Sequence, residues 1–446
     1  MSIVKAERID QIYKAFKGEP LHMEDMDAFY QNTTEARGGV EPRRRIARIL
    51  RQNQDSDEQL LFVGYKGCGK STELNHLQKD IQNDFLVLNF SVMEELDPVQ
   101  LNYIELFIVT MERLFDVAKE RNFRISKEYL QSIQHWLGTK EIEEIREKYN
   151  LGAEAEVGAE GNYGIPYLQT FFYKFKLSAK SSRSLKETLK TNVEPKLSDL
   201  IQHCNTLITE IRQQLPAQGL KDLVLIIEDL DKIPLDRAQE LFFNYTNQLV
   251  QLRTNVIYTF PIALYHSIRF NNIKTYFTNL YELPMIKVAQ KDGTPEAEGM
   301  QTMCDIVSAR MNYQTLFENQ EILNTMIRQS GGCLRDLFLM IREAADNAAD
   351  HDREIITEDD RFQAYQKLKR EYANTIADNV VGNIKYPVEK YYETLVKLTK
   401  STTKQLDNTE EEMHLKQNLC ILGYNGEGWC DVHPIVKDIL RERGKL

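Results

Sequence analysis

The chain has no apolar run of membrane-spanning length, and its opening MSIVKAERIDQ has no signal-peptide core. Both absences argue against a helical membrane span or secretion and lead us to expect a soluble, cytoplasmic protein. Cysteine is sparse: Cys68, Cys204, Cys304, Cys333, Cys420 and Cys430 are scattered, with no pair at C-x-x-C spacing. Neither a zinc ligand set nor a disulfide framework is expected from them, only reduced thiols. Positive charge is also short. Fifty-six Lys and Arg stand against 67 Asp and Glu, for a net charge of −11. That excludes a uniformly basic, indiscriminate nucleic-acid binder but leaves room for a local basic face. There is no internal repeat and no long low-complexity tract. At 446 residues the chain has length for roughly two to four domains with buried cores.

What is present is concentrated in LLFVGYKGCGKST, residues 60–72. An apolar run leads into Gly64-x-x-x-x-Gly69-Lys70-Ser71, and a helical pattern (Leu74, Leu77, Ile81) follows. This is a phosphate-binding loop with a strand before it and a helix after it. Gly64, Gly67 and Gly69 let the backbone curl so that its N–H groups converge on phosphates at a helix N-terminus. Lys70 brings a point charge to the β- and γ-phosphates, and the Ser71 hydroxyl reaches Mg²⁺. Tyr65, Lys66, Cys68 and Thr72 complete the nucleotide-binding segment. The expected ligands are ATP or ADP with Mg²⁺.

Hydrolysis needs a carboxylate in the metal's coordination sphere and a second to orient or deprotonate water. The apolar strand LVLII (223–227) ends in Glu228-Asp229-Leu230-Asp231. Glu228 stands at the metal side, with Ser71, and Asp229 at the water side. This order reverses the usual Asp-then-Glu, so slow turnover is expected, and Asp231 is a third candidate. Thr259, closing NVIYTFP (255–261), is placed to hydrogen-bond the γ-phosphate or the attacking water, with Asn255 at the opposite end of that strand.

Strands at 60–63, 84–92, 223–227, 255–261 and 281–288 alternate with helical segments, one of them at 236–252, which implies a parallel α/β sheet covered on both faces. We divide the chain into an N-terminal segment (1–55), a phosphate-loop ATPase core (56–290) with a helical insert at about 125–215, a helical lid (291–382) and a winged-helix-like domain (383–446). The insert holds a small-residue, acidic stretch at 152–166 read as a loop. FYKFKLSAKSSRSLKETLK follows, whose aromatic–lysine pattern fits one apolar helix face better than a single-strand binder. The arginines at 43, 44, 45 and 48 read as a solvated face, with phosphate contact as the lesser reading. Asn425-Gly426 signals a hairpin turn between two short strands.

The order of phosphate loop, LVLIIEDLDKIP, NVIYTFP, helical lid and winged helix resembles the AAA+ and STAND branch of P-loop ATPases, notably origin-recognition-type proteins and NB-ARC-like switches. It is similar also to a set of bacterial ATPases with the same DVHP ending. The resemblance spans most of residues 30–446 but not the insert. It implies that Arg335, in SGGCLRDLFLMIREA, senses the γ-phosphate from the lid. It implies that His433, in VHPIV, touches the ADP β-phosphate, although Pro434 at a helix start explains the same residues. By position it makes Arg269 an arginine finger, with Arg253 or Arg310 as substitutes, and sets Arg37 at the nucleotide's base. It implies an ATP-dependent homo-oligomer acting as a switch on a separate effector protein, in bacterial defence or signalling. The alternative is an origin-recognition-like loader that binds nucleic acid through its winged helix. The acidic hairpin GYNGEGWCDV weighs against that alternative.

Overall fold

Five apolar segments pair side by side, all parallel: β1 (Gln59–Gly64), β2 (Phe85–Ser91), β3 (Asp222–Glu228), β4 (Asn255–Pro261) and β5 (Asn279–Leu283), in the spatial order β2-β3-β4-β1-β5. The computed structural model describes residues 3–53, 56–137, 164–181, 197–381, 384–424 and 428–446. β1, β3 and β4 are buried along their whole length, as strands covered on both faces must be. β4 lies between β1 and β3, with Phe62 beside Thr259 and Ile227 beside Tyr258. The C-terminal ends of the phosphate-loop strand, the acidic strand and the Thr259 strand therefore meet at one sheet edge, where open α/β sheets place ligands.

β5 stops at Leu283, short of the 288 expected. Pro284 has no N–H to continue a ladder, and the Met285 N–H instead donates to the Gly423 carbonyl at 3.2 Å. The segment expected as one helix over 236–252 is broken into Leu235–Gln239, a π-turn Glu240–Asn244 and Thr246–Leu249. Tyr245 leaves helical geometry (φ −117°, ψ 21°) and its ring stacks on Tyr103 at 3.8 Å.

Between β2 and β3 the helices Tyr103–Glu120, Lys127–Leu137, Gly164–Ser181 and Leu197–Arg212 form a helical layer. Phe171, Phe172 and Phe175 are buried, and Phe172 stacks on Phe115 at 5.7 Å. Lys176 is held by Glu95 (2.6 Å) and Glu112 (2.8 Å). In its described part, up to Ser181, the aromatic–lysine pattern is an apolar helix face with an internal ion cluster, and the rest of that segment lies outside the described residues. The loop expected over 152–166 gives way to helix from Gly164, and its earlier part, like the Asn425-Gly426 turn, lies outside the described residues.

The lid consists of Ala297–Arg310, Gln320–Ser330, Leu334–Asp350 and Glu358–Thr375, with a single turn at Tyr313–Leu316. Thr357 and Asp360 form a capping box on the last of these. Gly331 (φ +58°) and Gly332 (φ +83°) end one helix in left-handed geometry before the next begins. A Cβ on Gly332 would run into the Ile286 carbonyl, so the turn lies directly on the core.

A small hairpin, β6 (Asn379–Val381) and β7 (Ile384–Tyr386), leads to the C-terminal winged-helix domain: Val388–Lys400, Glu410–Gln417, β8 (Ile421–Tyr424), β9 (Trp429–Val432) and Pro434–Glu442. This domain packs against core and lid together. The Tyr424 hydroxyl donates to the Gly331 carbonyl at 2.7 Å, and a Cβ on Gly423 would stand 2.6 Å from the Tyr65 hydroxyl. Among the described residues no helix is long and apolar enough to cross a membrane.

Candidate functional site

β1 ends at Gly64 and the chain turns through Gly67 (φ +76°) and Gly69 (φ +103°) into the helix Lys70–Ile81. Gly67 is doubly constrained, since a Cβ there would meet the Arg335 Cβ at 2.6 Å. Lys70 is buried, and its ammonium donates to the carbonyls of Gly64 (2.9 Å) and Tyr65 (2.7 Å) and lies 2.8 Å from Asp231 Oδ2. Burial opposes its charge, but Asp231 outweighs that and its pKa is raised.

Loop, lid and N-terminal segment enclose a cavity of about 380 Å³. Its floor is Lys66, Gly67, Gly69, Lys70, Ser71 and Thr72, with Lys232 and Arg335 at one side. The Lys66 pKa is lowered, first by burial and then by Arg335, Lys70 and Lys232, while Asp231 opposes the shift. Such a concentration of cations calls for an anion. Leu21, Phe29, Ile306 and Phe338 give the cavity an apolar wall, and Leu334 packs at Gly69 of the loop. The N-terminal segment is strapped to the loop helix: the Leu21 N–H donates to Thr72 Oγ1 (3.2 Å), and the Tyr30 hydroxyl to Glu73 (3.0 Å).

Glu228 lies at the end of β3, buried, and accepts from Asn89 at 2.8 Å and from the Ser71 hydroxyl. Burial raises its pKa to about 7 against those two hydrogen bonds. Asp229 sits in left-handed geometry (φ +67°), accepting from the Ser91 hydroxyl at 2.6 Å and 2.6 Å from Lys232. Thr259 is almost wholly buried, and its hydroxyl accepts from the Leu230 N–H at 3.0 Å. It fastens the turn that carries the acidic residues and does not line the cavity.

The Ser71 hydroxyl and the Glu228 carboxylate form an all-oxygen donor pair beside the phosphate loop, a chemistry that suits Mg²⁺ shared with nucleotide oxygens. Among the described residues no group of three or more His, Cys, Asp or Glu could hold a metal alone.

The other expected residues fall in different places. Arg37 is buried under the loop, donating to Cys68 O (2.7 Å), Thr33 Oγ1 (2.8 Å) and the Pro284 carbonyl, while also lining the cavity. It clamps the loop backbone. Tyr65 and Cys68 face away from the cavity, Tyr65 against Gly423 and Cys68 Sγ toward the Leu283 carbonyl. Arg335 stands at the phosphate end, its N–H donating to the Gly67 carbonyl at 3.3 Å. His433 does not line the cavity. It caps the last helix, Nδ1 accepting from the Ile435 N–H, with Nε2 3.2 Å from Asp336. Arg269 is exposed on a surface turn over the Phe243 ring at 4.5 Å, away from the cavity. Arg310, an alternative to it, is instead buried in the cavity wall. The apolar end of the cavity was not anticipated. Its residues come from three separate elements and share no sequence period.

No protein-family model matches the chain, and no curated protein matches it. Solved structures of similar shape include the Aeropyrum pernix ORC1 protein in complex with DNA (11% identity, TM-score 0.38, 93% of this chain and 94% of that one). They include Cdc6p from Pyrobaculum aerophilum (9%, 0.40, 98% and 100%) and the Thermotoga maritima RuvB Holliday junction branch migration motor (9%, 0.35, 93% and 98%). At scores of this size the likeness adds nothing to the chemistry of this chain's own residues.

Proposed function

We propose that the protein is an AAA+-type ATPase that binds ATP with Mg²⁺ between core and lid and hydrolyses it slowly. The observation that carries this reading is a single cavity joining the phosphate loop, a cation cluster and the lid's Arg335, with an apolar wall at the other end. The loop N–H groups and Lys70 bind the phosphates, which displaces the Lys70 ammonium from Asp231. Ser71 and Glu228 would hold the cation, which would supply charge neutralisation to the phosphates. Asp229 orients water, its short side chain and its bond to Ser91 limiting the rate. Arg335 gives the lid a contact that exists only with a γ-phosphate.

Calorimetric titration tests the reading. Lys70→Ala is expected to lose ATP binding, Asp229→Asn to bind ATP and hydrolyse it more slowly than wild type, and Arg335→Ala to bind but lose ATP-dependent assembly. Full ATP affinity in Lys70→Ala would overturn the assignment.

Of the two uses left open by the sequence, nucleic-acid binding is the better supported, because Arg44, Arg45 and Arg48 stand exposed on one helix, Pro42–Gln52, of an acidic chain. The separate effector and the defence role gain no support from the structure or from similar proteins.

A further inference from the structure

Arg310 ends the first lid helix and is only 6% exposed, on the cavity wall. Among the described residues no carboxylate lies within ion-pairing distance of it. Its contacts are the Phe29 carbonyl, 3.4 Å from Nη1, and the face of the Phe338 ring, 5.0 Å from the guanidinium carbon. Burial lowers its pKa to about 10, with Asp25 opposing the shift from a distance, so the group stays charged at neutral pH. A buried cation without an ionic partner carries an effective desolvation penalty of several kcal/mol. One long hydrogen bond and one aromatic face leave most of its five N–H donors without a protein acceptor among the described residues.

Its place along the cavity says what it meets. Leu334 and Arg335 pack on Gly69 and Gly67 of the phosphate loop. Phe338 lies one turn further along the same helix, about 4.5 Å from Arg335 and about 6 Å from Leu334 in rise, and Arg310 sits on Phe338. It therefore stands with Phe338 among the apolar residues Leu21, Phe29 and Ile306 of the cavity wall, one helical turn along from the residues that pack on the phosphate loop. A guanidinium offers donors and no acceptor. A purine stacked against Phe338 presents ring nitrogens that accept.

We propose that Arg310 holds the base end of the bound nucleotide, donating from its guanidinium to acceptor atoms of a purine ring. The inference rests on the nucleotide reading above and is tested so that the two can fail separately. ATP and tripolyphosphate, which has the phosphates without base or sugar, are titrated into wild type, Arg310→Met, Arg310→Lys and Lys70→Ala. Arg310→Met is expected to unfold, without ligand, at the same or a higher temperature than wild type. It is expected to bind ATP about 10- to 100-fold more weakly, as for loss of a charged hydrogen bond, with tripolyphosphate affinity unchanged. Arg310→Lys, which keeps the charge but not the planar fork, should fall between the two. An equal loss for both ligands, or an unchanged ATP affinity in Arg310→Met and Arg310→Lys, overturns the role of Arg310. Retention of both ligands by Lys70→Ala overturns the nucleotide reading itself.

Discussion

Asp336 Oδ2 lies 3.2 Å from His433 Nε2, with both side chains wholly buried where the lid meets the winged helix. The Tyr372 hydroxyl donates to the same carboxylate at 2.5 Å, and its ring stacks on the imidazole at 4.6 Å. Asp336 follows Arg335 directly, so the residue that packs on Gly67 of the phosphate loop is adjacent in chain to the one that anchors the C-terminal domain. Burial alone would raise the Asp336 pKa, but His433, Arg335 and Tyr372 hold it below the ordinary value.

A buried pair left with one partner typically costs about 3–5 kcal/mol. We expect Asp336→Asn and His433→Ala each to lower the unfolding free energy by an amount of that order in urea titrations. Because His433 does not line the cavity, the ADP off-rate should change less in His433→Ala than in Arg335→Ala. A larger ADP effect in His433→Ala would restore direct phosphate contact by the histidine. The sign with pH follows from the lowered pKa. Stability from Asp336 is complete above the unfolded-state carboxylate pKa of about 3.9 and is lost as pH falls through the lower folded value.

Glu228 gives the opposite sign. Its pKa is raised from 4.5 to about 7, so the folded protein binds a proton there that the unfolded chain does not. Stability of nucleotide-free protein should fall as pH rises across that window, by up to about 3 kcal/mol at 1.36 kcal/mol per unit. Urea unfolding of wild type and Glu228→Gln at pH 5.5 and pH 8 checks this, the variant being the flatter of the two. Parallel pH profiles would show that Glu228 does not titrate in the window. Mg²⁺-dependent ATP binding should strengthen over the same range, because the donor must be a carboxylate.

How far the sequence reached depends on whether the signal was local. Gly64 to Ser71 is a contiguous pattern whose chemistry is fixed by spacing, so its strand, turn and helix were legible. Gly331-Gly332 was legible for the same reason, two residues free to adopt left-handed geometry between helical runs. The apolar wall of Leu21, Phe29, Ile306 and Phe338 was not, since three separate segments meet only after the N-terminal strap and two lid helices have packed. Asp231 is only a third candidate in sequence, after Glu228 and Asp229, and the fold alone brings it to Lys70. Thr259 lies near the C-terminal end of β4, yet its hydroxyl is committed to the Leu230 N–H. The break at Tyr245 depends on a distant ring, Tyr103, which helix periodicity does not report.

Gly332→Ala tests the seating of the lid on the core. Its φ of +83° disfavours any side chain by roughly 1–2 kcal/mol, and the added carbon would strike the Ile286 carbonyl, which is backbone and has no rotamer to escape into. Loss of stability beyond the conformational cost alone is expected in thermal unfolding, with weaker ATP binding because Arg335 moves with the turn. Stability and affinity both equal to wild type would mean that the lid does not bear on Ile286 in solution.

The exposed arginines decide the nucleic-acid reading. Arg44, Arg45 and Arg48 point outward from the helix Pro42–Gln52, whereas Arg43 on the same helix is buried with Glu41 (3.1 Å) and Asp80. Arg43 is therefore structural and the other three are available to phosphates, apart from an exposed pair between Arg44 and Glu41 at 2.8 Å that solvent screens. Phosphate contacts release counterions, so affinity should fall linearly with the logarithm of salt, with a slope near −0.9 for each contact to duplex DNA. Reversing two charges, as in Arg44→Glu with Arg48→Glu, should flatten that slope by about two and weaken duplex binding at every sequence alike. ATP affinity should stay unchanged, because neither residue lines the nucleotide cavity. Filter binding of a random-sequence duplex at several salt concentrations provides the measurement. An unaltered slope in the double variant would remove this helix from any DNA surface, and a wild-type protein with no salt-dependent binding would remove the nucleic-acid reading altogether.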